Sequence, residues 1–376
     1  MDINKKKVGI ITLFKNNYGS ILQCYSTKRY LDSLGFESEV LFEPSRNFGG
    51  KFIRLCTILF HSIIYRGYLK NKLQMKSAMK KESGILPVET QKAMNEFVNE
   101  EINPVGKSFN ELHKEQKNYF RFIVGSDQVW NTSREISSYF FLGFCDRDKR
   151  IAFGPSFGTN FIPKFNKRIK GKIKKFKRLS LREETACVMA GEFFSGEILR
   201  VGDPTLLLEA DEWRKLYKNV SLKTDGKYGF VHFLNEPTDE LIEVINEFAI
   251  EHDLFLIIFG YPYEKMKNFH NQSVIFGSPL EYLAYIDNAD FVFTDSFHTS
   301  LFSINLETQF YTFERNYLHN FSQSSRILDM LKRYNLSDHY YPKGVNRLIK
   351  NEPISNECLI NDRNITRKFL KGELGI

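Results

Sequence analysis

Short apolar runs alternate along this chain with segments whose apolar residues recur at helical spacing. The runs lie at 8–13, 37–42, 120–124, 151–153, 179–181 and 198–201, and then at 228–234, 255–259, 273–276, 291–294 and 309–313. A nearly continuous apolar run is typical of a strand that is buried on both faces of a parallel sheet. Strands that alternate with helices in this way predict a doubly wound α/β fold.

The pattern divides into two successive α/β units. The polar stretch 221–227 predicts a linker, so we expect one domain over 1–220 and a second over 221–345. Residues 346–376 are predicted to return and pack on the first domain. We therefore predict two Rossmann-like domains facing each other across a cleft, an α/β architecture of the GT-B-like kind.

The stretch 291–304 shows most clearly where chemistry is expected. Its apolar strand ends at Thr294, and the apolar residues Phe297, Leu301 and Ile304 then follow helical spacing. Between and beside them lie the polar residues Asp295, Ser296, His298 and Thr299. Open α/β sheets bind ligands at such a strand end, and a helix N-terminus favours an anion. The alternatives are a helix cap at Asp295 or Ser296 and a buried, hydrogen-bonded His298.

Composition narrows the class of protein. The chain has 376 residues, 42% of them apolar and 26% charged, which is ordinary for a globular protein. Its five cysteines are scattered without a CxxC pair, which indicates reduced thiols in a cytosolic protein. The N-terminus shows no signal-peptide pattern, so we expect a cytoplasmic location. The eight histidines lack metal-ligand spacing, and we expect no metal and no cofactor.

The net charge of +8 is concentrated in two segments. A basic insert at 44–82 has no acidic residue before Glu82 and surrounds an apolar run, 55–65, that is too short to span a bilayer. A second basic run, 164–178, places Phe165, Ile169, Ile173 and Phe176 on one helical face. Each segment can be a solvated surface helix. Together they favour an anionic partner such as a membrane surface, and the absence of interleaved aromatics argues against nucleic acid.

Seven short motifs occur in order along the chain. They are Asn17–Gln23, Gly125–Asn131, Ser156–Gly158, Ser180–Glu183, Asp203–Leu208, Thr294–His298 and Ser325–Ile327. In this series the chain resembles the polysaccharide pyruvyl transferase family, over most of its length outside the basic insert and the final forty or so residues. The resemblance implies a GT-B-like fold and transfer of pyruvate from phosphoenolpyruvate (PEP) to a sugar as a cyclic ketal. One departure is Thr299, since family members usually have glycine there.

The resemblance also implies a donor site. Ser296, Phe297 and His298 match the motif that contacts PEP in the family, and Thr299 could hydrogen-bond the phosphate. Ketal formation requires guanidinium groups for the trianionic donor, and we assign Arg182 and Arg326 to PEP. His298 is predicted to act as general acid or as phosphate ligand.

The predicted base for an acceptor hydroxyl is Asp127. An Asx-type turn is the alternative role for Asp127, and Glu183 and Asp295 are alternative bases. With Arg182 and His298, Asp127 completes the predicted catalytic set. The motif at Asp203 is predicted to be structural, a fixed turn at the exit of the first domain.

The acceptor sugar is expected to contact polar and aromatic residues of the first domain. These are Asn17, Tyr18, Gly19, Asp127, Gln128, Trp130, Asn131 and Phe157. A plain core position is the alternative for Trp130. We expect the acceptor to be a galactose-type residue of a lipid-linked capsular or exopolysaccharide precursor. The basic segments would then hold the enzyme at the inner face of the cell membrane.

Two other functions fit parts of the pattern. A GT-B glycosyltransferase would use a nucleotide sugar in place of PEP. A non-catalytic protein could bind membrane or glycan through the basic segments, and replacing His298 would then change nothing.

Overall fold

The computed structural model describes residues 5–44, 86–132, 136–224, 226–315, 324–349, 351 and 354–376. Strands and helices alternate from its first described element to residue 217. The elements are β1 (Lys7–Ile11), α1 (Tyr18–Ser33), β2 (Glu37–Phe42), α2 (Val88–Phe97), β3 (Val105–Gly106), α3 (Phe109–Glu115), β4 (Arg121–Val124), β5 (Arg150–Ala152), α4 (Arg168–Ile173), β6 (Leu179–Leu181), α5 (Glu184–Gly191), β7 (Ile198–Arg200) and α6 (Ala210–Tyr217).

The alternation continues in the second half of the chain. The elements there are β8 (Tyr228–His232), α7 (Asp239–Glu251), β9 (Phe255–Phe259), β10 (Gln272–Ile275), α8 (Pro279–Asp287), β11 (Phe291–Thr294), α9 (Phe297–Leu306), β12 (Phe310–Phe313), α10 (Ser324–Arg333), β13 (Tyr340–Tyr341) and α11 (Glu357–Leu374). Short 3-10 turns connect several of these elements. The predicted alternation of strands and helices is therefore confirmed.

Both main sheets are parallel and have the same strand order. The first runs β3-β2-β1-β4-β5. The separate pair β6–β7 is linked to it after β5, where the Gly154 N–H donates to Ser180 O at 3.1 Å. The second runs β10-β9-β8-β11-β12-β13. In each sheet the order reverses beside its first strand, between β1 and β4 and between β8 and β11. This is the Rossmann arrangement, so the predicted pair of Rossmann-like α/β sheets is confirmed.

Local sequence explains why these elements form. The apolar residues of β1 are buried on both faces, and a side chain at Gly9 would come within 2.6 Å of the Phe122 ring, which only glycine avoids. Helix α1 begins after Asn17, whose side chain accepts the Ser20 N–H at 3.0 Å. Helix α9 begins after Ser296, which caps it through the Thr299 N–H. Capping side chains at both strand-to-helix junctions fix where these helices start.

The two domains share one continuous apolar core, which joins α1 to the helices of the second sheet. The Tyr18 ring stacks on Tyr282 with centroids 4.6 Å apart, and its hydroxyl donates to Gly277 O at 2.7 Å. Helix α11 adds a polar link, because Arg363 donates to Leu206 O at 2.7 Å and to Asn305 Oδ1 at 2.8 Å. The junction between the domains is thus held by packing and by buried hydrogen bonds.

The two basic segments and the domain boundaries are addressed only in part by the described residues. The basic insert lies outside the described residues from 45 onward, and the boundaries at 220 and 345 remain predictions. The second basic run forms the short helix α4, and Ile169, Ile173 and Phe176 are buried beneath it. Among the described residues, the helices are too short or too polar to cross a bilayer.

Candidate active site at the domain junction

The loop from β1 to α1 forms the first wall of the junction. Asn17 caps α1, and Tyr18 is buried against Tyr282, so both side chains are already engaged. Gly19 lies against the His298 ring, where an added Cβ would come within 2.2 Å of Cγ. The predicted acceptor residues of this loop therefore shape the site by capping and close approach, and their contact with a sugar remains a prediction.

Asp127 follows β4 at the point where the first sheet reverses its order. It has φ +56°, and its carboxylate accepts the Ser20 hydroxyl at 2.5 Å and the Gln128 N–H at 2.8 Å. Burial raises the pKa of Asp127, but the His298 and Arg182 charges and the Ser20 hydrogen bond bring that pKa below its ordinary value. An Asp127 that stays ionised is a weak base and a strong counter-charge for the cations across the junction.

Of the other predicted acceptor residues of the first domain, Trp130, Asn131 and Phe157 are buried and Gln128 is half-buried. Trp130 is fully buried, donates from Nε1 to Phe140 O at 2.7 Å and lies 6.0 Å from the Phe157 ring, which is also buried. Asn131 Nδ2 donates to Gln128 Oε1 at 2.5 Å. Trp130 thus has the surroundings of a core residue. The acceptor role of these residues stays a prediction.

Arg182 lies at the end of β6 in a buried ionic network. Its Nε donates to Glu183 Oε1 at 2.9 Å and its Nη1 to Asp203 Oδ2 at 2.6 Å. Its Nη2 is buried and, within the described part of the chain, has no hydrogen-bond partner. A buried donor without a protein partner is rare, and either a water molecule or an anionic oxygen would satisfy it.

Asp203 joins this network to His298 across the domain junction. Its Oδ2 lies 3.6 Å from His298 Nε2, and its Oδ1 accepts the Thr205 N–H at 3.0 Å. Burial raises the pKa of Asp203, but His298, Arg182 and the Thr205 N–H lower it well below the ordinary range. At 3.6 Å the contact is longer than a hydrogen bond, and it is an ion pair only when the imidazole is protonated. Among the described residues, His298 Nε2 has no hydrogen-bond partner either.

The guanidinium groups of Arg182 and Arg326 both lie near the Phe297 ring, in a small cavity that we call the guanidinium crevice. Arg182 lies 4.3 Å and Arg326 lies 5.9 Å from the centroid of that ring, distances at which a cation is attracted to the ring. The crevice is lined by Arg182, Arg200 and Asp203 of the first domain and by Phe297, Arg326 and Arg333 of the second, among others. Its volume is about 20 Å³, room for about one water molecule.

Thr299 is fully buried one turn into α9. Its hydroxyl lies 2.8 Å from the Tyr282 hydroxyl, beside the Tyr18–Tyr282 stack. The residue that departs from the family pattern thus has a hydrogen-bond partner within the protein. Its contact with phosphate remains a prediction, since one hydroxyl can both donate and accept.

The two alternative bases are occupied in different ways. Glu183 is paired with Arg182 in the crevice wall. Asp295 accepts the Leu234 and Asn235 N–H groups at 2.6 and 3.2 Å, and Arg315 Nε lies 3.2 Å from its Oδ2. These bonds turn Asp295 toward the end of β8 and away from the crevice.

The structure brings together Asp127, Arg182, Phe297, His298 and Arg326, with Ser296 as the cap of α9. It adds two residues that sequence reasoning did not place in the site, Asp203 and Ser20. The signal for Asp203 was available, because it follows the β7 strand end just as Asp127 follows β4. Among the described residues, His, Cys, Asp and Glu form no group of three or more that could hold a metal.

Comparisons with known proteins agree with this architecture. Among solved structures, the chain is similar to that of UDP-N-acetylglucosamine 2-epimerase from Rickettsia bellii, with 12% sequence identity and a TM-score of 0.51. The match covers 99% of this chain and 97% of the epimerase chain. The chain is also similar to the Methanocaldococcus jannaschii UDP-GlcNAc 2-epimerase in complex with UDP-GlcNAc and UDP, at 14% identity and TM-score 0.50, covering 98% and 100%. At such low identity these matches show the GT-B-type fold alone.

A search of curated protein sequences found no match. A family model described as polysaccharide pyruvyl transferase matches residues 17–317. That range includes both strand-to-helix junctions and the whole ionic network between them. The protein is therefore a pyruvyltransferase enzyme that belongs to the polysaccharide pyruvyl transferase family.

Proposed function

We propose that the enzyme takes pyruvate from PEP and attaches it to two hydroxyls of one sugar residue as a ketal, releasing phosphate. The observation that carries this proposal is a pair of buried nitrogens beside Asp203, Arg182 Nη2 and His298 Nε2, which have no hydrogen-bond partner among the described residues. The guanidinium groups of Arg182 and Arg326 flank the same place. A small trianion supplies acceptor oxygens for such donors.

The chemistry assigns a role to each group. His298 gives a proton to the methylene carbon of PEP, and the cation formed at the adjacent carbon is attacked by the first sugar hydroxyl. Phosphate then leaves from that carbon, and the second hydroxyl closes the ketal. Two hydroxyl protons are released, one of which restores His298 while the other leaves with phosphate. Asp203, 3.6 Å from Nε2, stabilises the protonated imidazole, and Arg182 holds the leaving phosphate.

The crevice must widen before PEP can bind, because its present volume is close to that of one water molecule. Arg182 and Asp203 come from the first domain, whereas Phe297 and Arg326 come from the second. A small separation of the two domains would therefore open the crevice, and closure on PEP would exclude water from the reacting cation.

The test measures phosphate release and the mass of the sugar product. Purified enzyme with PEP and a methyl β-galactoside should release phosphate and add pyruvate less one water to the sugar. His298→Ala should abolish both while keeping the wild-type circular dichroism spectrum. His270→Ala is the matched control, because His270 is exposed and lies outside the crevice.

Two results would contradict the proposal. Near-normal turnover in His298→Ala would remove the imidazole from the mechanism. Protection against heating by UDP-galactose, with none by PEP, would instead support a nucleotide-sugar glycosyltransferase.

We also infer that the acceptor is a galactose-type residue of a lipid-linked capsular or exopolysaccharide precursor at the cytoplasmic face of the cell membrane. What supports a membrane contact is the charge around α4, where Lys164, Lys167, Arg168, Lys174 and Lys175 are exposed. Because the apolar side of α4 is buried, the contact would be electrostatic. Anionic vesicles should retain the enzyme at low salt and release it at high salt; no retention at low salt would refute the contact.

A further inference from the structure

A second cavity opens on the other side of the end of β11, and we call it the switch-point pocket. It is bounded by residues that follow four neighbouring strands: Phe233 after β8, Asp295 after β11, Glu314 after β12 and Pro342 after β13. Strands β8 and β11 are the pair at which the strand order of the second sheet reverses. Open α/β sheets bind ligands in the crevice outside the strand ends at such a reversal.

The pocket is separated from the guanidinium crevice by the end of β11. Asp295 lines the pocket, and Phe297, two residues later, lines the crevice. The Asp295 carboxylate ties the β11 end to the Leu234 and Asn235 N–H groups and faces Arg315. This buried set of bonds makes a fixed partition, so the two cavities are neighbours with different walls.

The charges of the side chains that line the pocket limit the kind of ligand it can bind. Among the described residues, its lining includes the carboxylates of Glu236, Glu240, Asp295 and Glu314 and two cations, Arg315 and Lys343. Arg315 already lies 3.2 Å from Asp295. A phosphate or nucleotide would meet excess negative charge here, whereas carboxylates accept hydrogen bonds from hydroxyl groups.

The apolar part of the lining and the size of the pocket point the same way. Phe233 and Phe313 stack with centroids 5.8 Å apart, and Tyr341 lies 5.9 Å from Phe313. Leu241 and Val345 complete this apolar side. The volume is about 370 Å³, in the range of small-molecule sites. Phe233 and Phe313 are themselves buried, so the half-buried Leu241, Tyr341 and Val345 form the accessible apolar side. An apolar side with carboxylates around it suits a sugar ring, which has an apolar face and hydroxyls at its edge.

We propose that the switch-point pocket binds a sugar residue of the acceptor glycan. This rests on the proposed function, since it places the acceptor next to the crevice assigned to PEP. It also moves acceptor recognition to the second domain. The residues predicted for it in the first domain, such as Trp130 and Phe157, are buried.

The test fills the pocket without touching the crevice. Val345→Trp places a large side chain in the pocket, and Ile349→Trp is the matched control, because Ile349 lies on the same segment, is exposed and does not line the pocket. In the phosphate-release assay, Val345→Trp should raise the KM for the methyl β-galactoside at least about tenfold. The KM for PEP and kcat should stay within about twofold of the wild type.

A second variant removes charge with little change in volume. Glu314→Gln keeps an oxygen for the Lys343 N–H, which the carboxylate accepts at 3.2 Å. It should raise the acceptor KM about tenfold by weakening a charged hydrogen bond. Glu243→Gln, on the exposed side of α7 and outside the pocket, should match the wild type.

Measuring the binding of sugars in the absence of PEP tests the pocket independently of the proposed function. Saturation-transfer NMR with the methyl glycosides of galactose, glucose and N-acetylglucosamine should show contact for at least one sugar with wild type and with Ile349→Trp, and none with Val345→Trp. If wild type turns over PEP but Val345→Trp leaves the acceptor KM unchanged, the pocket assignment is wrong and the proposed function stands. If PEP is not turned over, the proposed function falls and the NMR comparison still decides the pocket.

Three NMR results would overturn the assignment. They are no contact with any of these glycosides, an undiminished signal in Val345→Trp, and displacement of the bound glycoside by UDP, which would indicate a nucleotide site.

Discussion

The guanidinium crevice and the switch-point pocket lie on opposite sides of the same strand end, yet they differ in walls, charge and space. The crevice is lined by both domains, has about 20 Å³ of space and includes Arg182, whose buried Nη2 has no hydrogen-bond partner among the described residues. Within the described part of the chain, the pocket is lined by the second domain alone, has about 370 Å³ of space and carries more carboxylates than cations. Their ligands should therefore differ in charge, although their positions in the sheet are adjacent.

The side chains that follow β8 and β11 are divided between the two sides of the strand ends. At the end of β8, His232 lies against Tyr18 at the domain junction, with ring centroids 5.9 Å apart, whereas Phe233 lines the pocket. At the end of β11, Asp295 lines the pocket and Phe297 the crevice. Successive residues at the end of β8 point to opposite sides, and after β11 the chain turns into α9 between Asp295 and Phe297. One strand end can therefore contribute to two sites of different chemistry. A ligand cannot be inferred from position in the fold without the side chains.

The largest expected effect comes from Arg182→Lys. Lysine keeps a positive charge beside Asp203 and Glu183 but loses the planar fork and the stacking on Phe297, so kcat/KM for PEP should fall about 1000-fold. The sugar signal in saturation-transfer NMR should be unchanged, because the pocket does not include Arg182. Loss of both would mean that the two cavities act as one site.

Gly19→Ala should have the next largest effect. Alanine favours a helix more than glycine does, by about 1 kcal/mol, so α1 itself would not be weakened. The new Cβ would lie 2.2 Å from His298 Cγ and displace the imidazole, which should lower kcat about 100-fold. Gly171→Ala in α4 is the control, because a Cβ there meets nothing within 4 Å. Unchanged kcat in Gly19→Ala would show that His298 does not need its present position.

The smallest expected effect concerns the stability of the folded protein and depends on His232, the last residue of β8. Burial lowers the pKa of His232 from its ordinary 6.5 to about 4, so the folded protein keeps this ring neutral. The unfolded chain binds a proton as the pH falls below about 6.5, and the folded protein does so only near pH 4. The free energy of unfolding should therefore fall by about 3 kcal/mol between these values.

His232→Phe should flatten this part of the stability curve, measured by urea denaturation at several pH values. Some slope should remain, because burial also lowers the pKa of His339. His270→Phe, at an exposed position, should leave the curve as it is in the wild type. If the stability curve of His232→Phe ran parallel to that of the wild type, the prediction would be contradicted. His232 would then be protonated in the folded protein as readily as in the unfolded chain.

Much of the fold could be read from the order of residues. The apolar runs at Val8 and Phe291 predicted buried parallel strands, and the polar residues that follow them predicted strand-end sites. The motifs around Asp127, Arg182 and His298 predicted the family. These features depend on spacing along the chain, which is set locally by the periods of strand and helix.

The roles of individual side chains could not be read in the same way. Asp203 was expected to be structural, but it contacts Arg182 from the same domain and His298 from the other. For Trp130 the sequence left both a sugar contact and a core position open, and the structure shows that it is buried among aromatic rings. Which partners a strand-end residue meets depends on strand order and on how the two domains pack, and these are contacts between residues far apart in sequence. Local periodicity carries no information about them, so the pairing of Asp203 with His298 became visible only in the folded chain.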